Sequence, residues 1–414
     1  MDTLTPDCSV GDAETAQSDR SEAAHTISGA HFRLDAASRS TEMTVYAPAH
    51  GNGFRALRRT PWTWRQGPAN AIIRLMPVLD AFDRPLRTLR VSVTDRCNLR
   101  CLYCMPEAEY VWLPRADLLS FEEIDRLTGI FVGEGVARVR LTGGEPLLRR
   151  NLPGLVERLA ARPGVRERSL TTNGVHLAAS AKALRAAGLD RVTVSLDTLR
   201  IDRFERLSRS RDLPAVLEGI GAAVATFGTI KIDTVVIRGE NDDELADLVA
   251  YAGRLGAEIR FIEYMDVGGA TRWSTSRVVP RDEILARIGA AVGAPEPIGR
   301  PDAAPASRYV LPGGQVIGVI ASTTDPFCAD CDRARLTADG QLFTCLYATR
   351  GVDLRGPLRA GATDAELAAT IRGVWQARAD RGAEARLSVE GRTSFIARDA
   401  LKARPHLEMH TRGG

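Results

Sequence analysis

The chain has 414 residues, 44% of them hydrophobic, enough for a sizeable buried core. Fifty-five basic against 52 acidic residues leave a net charge of +3, too balanced to argue for a nucleic-acid partner. No apolar run nears the ~20 residues of a membrane span, and no apolar h-region opens the chain, so a soluble, cytoplasmic protein without a membrane partner is expected.

Residues 1–75 are rich in Ala, Ser, Thr, Asp and Arg and show no sustained period; a disordered or loosely ordered extension is expected there. A regular alternation then begins. Strands are predicted at 86–94, 137–142, 167–171, 191–196, 231–237 and 258–264, with helices between them. Ser120 and Glu123 form a capping box for the first helix, and Asn151 is placed to cap the second. Six strand–helix units imply an α/β fold with a parallel sheet, most simply an open, TIM-like (β/α)6 partial barrel over 76–293. From 294 the composition shifts to Gly, Ala and Pro. Short β-type runs follow, two of them flanking Asp339-Gly340, a hairpin signal, and then a helix near 364–377. A smaller C-terminal α+β domain is expected over 294–398, followed by a tail, 399–414, ending in Gly413-Gly414.

Six of the seven cysteines fall in two groups. Cys97, Cys101 and Cys104 form a C-x3-C-x2-C just after the first strand. Cys328 and Cys331 form a C-x2-C, with Cys345 thirteen residues further on. No histidine lies near either group, so neither completes a four-coordinate zinc site with a histidine. Three thiolates can hold three irons of a [4Fe–4S] cluster and leave the fourth iron open. Two such clusters are therefore expected. Buried structural cysteines would be scattered rather than grouped, and disulfides need an oxidising compartment.

Within the predicted strands polar residues alternate with apolar ones. Arg90, Ser92 and Thr94 share a face, as do Arg138, Arg140 and Thr142, then Thr193, Ser195 and Asp197, then Lys231 and Asp233. Only Lys182, Lys231 and Lys402 are lysines, so a lysine inside a strand needs a reason. Crossover helices cover the outer face of a parallel barrel, which assigns the polar face to the interior. Arginines there are costly without an anion. A large polyanionic ligand is expected, in preference to internal ion pairs alone; arginine forks suit phosphate. The loops at the strand C-termini, where such folds place their chemistry, hold residues 97–104, Gly143-Gly144-Glu145-Pro146, Thr171-Thr172-Asn173-Gly174, 195–197 and 263–265.

At these residues the chain resembles the radical S-adenosylmethionine (SAM) superfamily: a C-x3-C-x2-C after a first strand, an aromatic residue before the last cysteine, and a glycine motif after the second strand. More closely it resembles the GTP 3′,8-cyclase family of molybdenum cofactor biosynthesis, from about residue 79 to Gly414. The matching positions include 89–104, 140–148, 171–174, 231–236, 260–265, the second cysteine group, Arg333, Arg335 and the terminal Gly-Gly. Asp332 departs from the pattern, where Asn or Ser is more usual.

The resemblance implies that Cys97, Cys101 and Cys104 hold the cluster that binds and cleaves SAM. Tyr103, Gly144, Ser195 and Met265 would contact SAM. Arg90, Arg140, Thr171, Lys231, Arg333 and Arg335 would contact GTP. Cys328, Cys331 and Cys345 would hold a second [4Fe–4S] cluster facing the guanine. A 5′-deoxyadenosyl radical would take the C3′ hydrogen of GTP, and C3′ would bond to C8, giving 3′,8-cyclo-7,8-dihydro-GTP. An electron donor is implied, and a downstream cyclic pyranopterin monophosphate synthase takes the product; homodimerisation is left open. The rival readings are another radical SAM enzyme with an auxiliary cluster, of the peptide maturase type, and a non-catalytic zinc-binding module.

Overall fold

The computed structural model describes residues 77–413 apart from Ala108, Gly268, Ala270, Thr271, Asp302, Pro405 and His406, and the backbone of four strands between residues 25 and 61. Cys8 and Gly414 lie outside the described residues. The chain divides into two compact units at Arg74.

In the first unit, β1 (His25–Ile27), β2 (Ala30–Phe32), β3 (Glu42–Ala49) and β4 (Gly53–Pro61) form an antiparallel sheet in chain order. These strands stand where composition led to the expectation of an irregular extension. The local chemistry accounts for the difference. Thr44, Val45 and Tyr46 favour strands, and Asn52-Gly53, which leads into β4 in the sequence, is a turn-favouring dipeptide.

The second unit is built on one sheet. At its centre β5 (Thr88–Ser92), β6 (Arg138–Thr142), β7 (Glu167–Thr172), β8 (Arg191–Ser195), β9 (Lys231–Val236) and β10 (Glu258–Glu263) lie side by side in chain order, all parallel. They match the six expected strands. Between them run α1 (Phe121–Gly133), α2 (Leu152–Ala161), α3 (Leu177–Ala186), α4 (Ile201–Ser208), α5 (Leu213–Phe227) and α6 (Leu245–Arg254); α7 (Arg281–Val292) follows β10. Ser120 and Glu123 close both halves of the capping box on α1. Asn151 sits at the start of α2 in a left-handed conformation and its side chain makes no cap hydrogen bond, contrary to expectation. Leu89, Val91, Val139, Leu141, Val192, Val194, Ile232 and Ile259 point away from the polar face into one core with Ile124, Leu127, Phe131, Leu155 and Leu184 of the helices. Each such side chain, fully buried, stabilises the fold by about 1.5–3 kcal/mol.

The C-terminal strands do not make a sheet of their own, as a separate domain would. β11 (Glu296–Gly299), β12 (Ser307–Val310) and β13 (Val316–Ile320) extend the sheet beyond β10, with β13 parallel to it. β14 (Arg333–Leu336) pairs in parallel with β5 at the opposite edge, and β15 (Gln341–Phe343) and β16 (Val352–Asp353) continue outward. Unpaired edges invite capture, and both edges of the six-stranded core are covered by this same segment. Then come α8 (Arg355–Arg359), α9 (Asp364–Gln376), α10 (Gly382–Ala385) and α11 (Arg398–Ala403). Asp266, just after β10, ties this region down. Its buried carboxylate accepts from Tyr347 Oη at 2.8 Å, Arg386 Nε at 2.8 Å and Arg392 Nε at 2.9 Å.

Candidate active site

Neighbours paired across a parallel sheet point to the same face. The register therefore aligns the expected polar residues in two rows. One row runs Arg335, Arg90, Arg140, Ser169 across β14, β5, β6 and β7. The other runs Thr171, Thr193, Lys231, Glu258 across β7 to β10. The alternation in the sequence has thus gathered Arg90, Arg140, Thr171, Lys231 and Arg335 on one surface, with Arg333 at the near end of β14.

This surface is strongly positive. Burial, then the nearby Arg335, Arg140 and Arg333, holds Arg90 well below the usual guanidinium range. Burial and Arg260 bring Arg140 down to about 10, and burial and Arg333 bring Arg335 to about 10. Part of the charge is met internally. Arg260 forks onto Asp233 at 2.7 and 2.9 Å, Lys231 Nζ lies 3.4 Å from Glu258, and Arg138 donates to Asp332 at 2.6 Å. Internal pairing thus accounts for Arg138 and part of Lys231. Arg140 donates only to the Thr171 and Thr193 hydroxyls, at 3.1 and 3.2 Å, among the side-chain bonds described. Neutral hydroxyls offset a buried cation poorly.

The first cysteine group leaves the C-terminal end of β5. Gly144 permits the next loop to press against it: a Cβ there would stand 2.2 Å from the Arg96 carbonyl oxygen. Glu145 follows, fully buried. It accepts from Leu147 N, Thr172 Oγ1 and Asn173 N at 2.7–2.9 Å. Burial pushes its carboxyl up to about 7 against those bonds. Asn173 in turn donates to Asn98 Oδ1 at 2.8 Å and reaches Cys97 Sγ at 3.8 Å. Tyr103 donates to Asp197 at 2.7 Å, and Asp197 also accepts from Val235 N. Ser195 ends β8, two residues before Asp197, and Met265 lies half-buried past β10. The residues expected around SAM thus lie at the C-terminal ends of β5, β6, β8 and β10. Glu145, Asn98, Asn173 and Asp197, which hold those loops together, were not among the expected contacts, although each stands in one of the strand-end motifs read from the sequence.

The thiols fit an iron–sulfur cluster. All six are partly buried and free of disulfides. Burial pushes Cys97 up to about 11 and raises Cys101 and Cys104 as well, with the other thiols of the group adding to it for Cys101. Thiolates in such a place need a metal to hold them deprotonated. Backbone N–H groups of Leu99 and Tyr347 donate to Cys97 and Cys345 sulfur at 3.5 and 3.4 Å. Among the described residues no three His, Cys, Asp or Glu side chains converge closely enough for a single ion. Cluster ligands each bind a different iron and stand further apart. At the second group, burial would raise Cys331, but Arg333 and Arg378 outweigh it and hold the thiol at about 6. Arg84 and Arg378 donate to the Cys328 and Cys331 carbonyls at 2.8 and 2.7 Å.

The C-terminal tail enters the same surface. Arg335 Nη1 donates to the carbonyls of Arg412 at 3.1 Å and Gly413 at 2.8 Å. Gly413 has φ +63°, and a Cβ there would meet Thr142 Oγ1 at 2.2 Å, so only glycine fits.

Residues 91–252 match the Radical SAM superfamily and residues 257–384 match Molybdenum Cofactor Synthesis C. The chain is 53% identical over 342 residues to "GTP 3′,8-cyclase 1" of Mycobacterium tuberculosis (strain CDC 1551 / Oshkosh), covering 81% of this chain and 95% of that protein. It is 49% identical to the GTP 3′,8-cyclase of Acidothermus cellulolyticus and 44% identical to that of Aquifex aeolicus, over 75% of this chain and 89% and 95% of theirs. A solved structure of Streptococcus suis SuiB bound to S-adenosylmethionine is similar with a TM-score of 0.48 at 14% identity, over 70% of this chain and 68% of that one. A parallel α/β sheet with a three-cysteine loop after its first strand, together with the superfamily match, defines a radical SAM enzyme. Within that class, the chain belongs to the GTP 3′,8-cyclase family of molybdenum cofactor biosynthesis. Among the described residues no helix is long and apolar enough to cross a membrane.

Proposed function

We propose that the enzyme converts GTP to 3′,8-cyclo-7,8-dihydro-GTP inside an open (β/α)6 partial barrel, residues 76–293, closed by the segment 294–398 and the tail 399–414. The arginine surface across β14, β5 and β6 is the observation that carries this reading. A polyanion of triphosphate type suits such a surface.

Cys97, Cys101 and Cys104 would hold a [4Fe–4S] cluster, and Cys328, Cys331 and Cys345 a second one. When bound, the first cluster and SAM would supply the 5′-deoxyadenosyl radical that takes the C3′ hydrogen of GTP, the donor giving one electron to cleave SAM and a second, with a proton, to complete the dihydro product. Everything else falls to the chain. Gly144 keeps the motif loop close enough for backbone groups to receive the methionyl end of SAM. Tyr103, Ser195 and Met265 line the same loop ends. Arg90, Arg140, Arg333, Arg335, Lys231 and the Thr171 hydroxyl would fix the phosphates and ribose, so that C3′ faces the radical and C8 lies within bonding reach of C3′. The tail and the C-terminal segment would shield a carbon radical from solutes able to reduce it or give it hydrogen.

A soluble one-electron donor, a cytoplasmic setting and product transfer to cyclic pyranopterin monophosphate synthase complete the reading. Anaerobically reconstituted protein given SAM, GTP and a reductant should yield 5′-deoxyadenosine and a cyclised nucleotide in equal amounts by mass spectrometry. 5′-Deoxyadenosine that forms at the same rate with and without GTP, and no cyclised product, would show that the substrate is something else.

A further inference from the structure

The tail is pinned before it reaches Arg335, and the pin is on the first cysteine loop. Residues Met409–Thr411 make a single helical turn. Within it His410 is 5% exposed and its ring meets Tyr110 edge-on at 5.5 Å and Trp112 at 6.3 Å. The Arg100 guanidinium lies over both of those rings, at 5.6 and 5.4 Å. Arg100 stands between Cys97 and Cys101 and donates to the carbonyls of Cys97 and Leu99 at 2.9 Å each. A continuous stack therefore runs from the backbone of the cysteine loop to the tail. On the far side of His410, Arg412 donates to the Leu407 and Ala348 carbonyls, and its own carbonyl and that of Gly413 are held by Arg335.

The His410 ring is used as a shape. Its Nδ1 is buried and has no hydrogen-bond partner, so nothing in the stack depends on a polar bond from that atom. Shape matters here because register matters. A slip of one residue along such a turn moves the chain by about 2 Å. That would take Gly413 from Arg335, and in one direction it would bring Arg412, with its Cβ, against Thr142.

We propose that His410 is a positioning residue: packed against both Tyr110 and Trp112, it sets the register of the C-terminal tail on the first cysteine loop, so that Gly413 lies at Arg335. It touches no substrate atom and acts through the tail. The inference rests on the functional reading above for its consequence in turnover, while its structural half stands on the stack alone.

The test uses the full-length, anaerobically reconstituted enzyme and three variants, His410→Ala, His410→Phe and His410→Asn. Hydrogen–deuterium exchange reads the tail directly. In His410→Ala the amides of residues 407–413 should exchange about tenfold faster, the worth of a lost aromatic pair, with the rest of the protein unchanged. Iron content should stay at about eight per chain. 5′-Deoxyadenosine formation should persist while the fraction converted to cyclised product falls at least about tenfold, an uncoupling that general destabilisation does not produce. His410→Phe should restore both protection and coupling, and His410→Asn neither. Unchanged tail exchange in His410→Ala, or rescue by Asn and not by Phe, would overturn the proposal. If the unmodified enzyme itself makes no cyclised product from GTP, the functional reading fails, and the exchange measurement still judges the register pin.

Discussion

The two cysteine groups have three thiols each and different surroundings. Around the first, burial pushes the thiols up and carboxylates add to it: Glu145 at Cys97, where Arg100 opposes, Asp197 at Cys101 and Glu408 at Cys104. In the second, burial and Glu384 raise Cys328, but Arg333 and Arg378 pull Cys331 down to about 6 against its burial, and Arg84 and Arg378 hold the loop by its carbonyls. Surrounding charge decides what each place attracts. SAM carries a sulfonium and an ammonium group, and an acidic neighbourhood suits it. A nucleoside triphosphate is a polyanion, and the arginine side suits that. On the proposed reading, two groups of identical ligand count receive different guests because of residues that bind no metal.

Variants can break this division. The largest effect is expected from the first group. Replacing Cys97, Cys101 or Cys104 with Ala should abolish SAM cleavage altogether, whereas Cys328→Ala with Cys331→Ala should remove about half of roughly eight irons and leave uncoupled cleavage in place. Iron analysis with 5′-deoxyadenosine quantification checks both; cleavage that survives loss of the first group would reverse the roles of the two sites.

Next in size are the cations of the shared surface. Lys231→Ala or Arg333→Ala should spare uncoupled SAM cleavage but weaken GTP use by about thirty- to several-thousand-fold, the usual cost of ~2–5 kcal/mol for deleting a buried charge partner. Equilibrium binding of GTP under anaerobic conditions measures it. Normal binding by Lys231→Ala would mean that this lysine serves only its ion pair with Glu258.

The smallest effect sharpens the comparison at its border. Asp332, beside the second group, is buried and accepts from Arg138 at 2.6 Å and Thr88 at 3.2 Å. Its carboxylate therefore faces β5 and β6. Asp332→Asn keeps one acceptor and loses the charge, so thermal or denaturant unfolding should register a loss of about 1–2 kcal/mol with the second cluster retained. Loss of iron from this variant would place Asp332 in the cluster's support instead.

Local pattern carried much of this molecule. Six strands, the capping box at Ser120 and the polar face were readable because each depends on residues two to four apart. The failures share a different cause. That β14 pairs with β5 could not be read, since its partner lies far off in sequence and short β-type runs look alike wherever they end up. The ties from Asp266 to Arg386 and Arg392 were hidden for the same reason, in a chain where nearly every cation is arginine. The bonds from Arg335 to the tail carbonyls of Arg412 and Gly413 likewise join two distant segments that only the fold brings together. Thr44–Tyr46 and Asn52-Gly53 carried a strand and hairpin signal that the polar composition around them masked.

The pairing of β14 with β5 also governs how this protein is made. Thr88 and Asp332, bonded across that edge, are 244 residues apart. At ribosomal speeds of about 5–20 residues per second, β5 leaves the tunnel about 12–50 s before its edge partner exists. During that interval the growing chain presents an open strand edge with the first cysteine loop at its end, and the tail that later packs over that loop is the last piece to emerge. Nascent chains therefore expose the loop of Cys97, Cys101 and Cys104 before the segment that packs over it has been made.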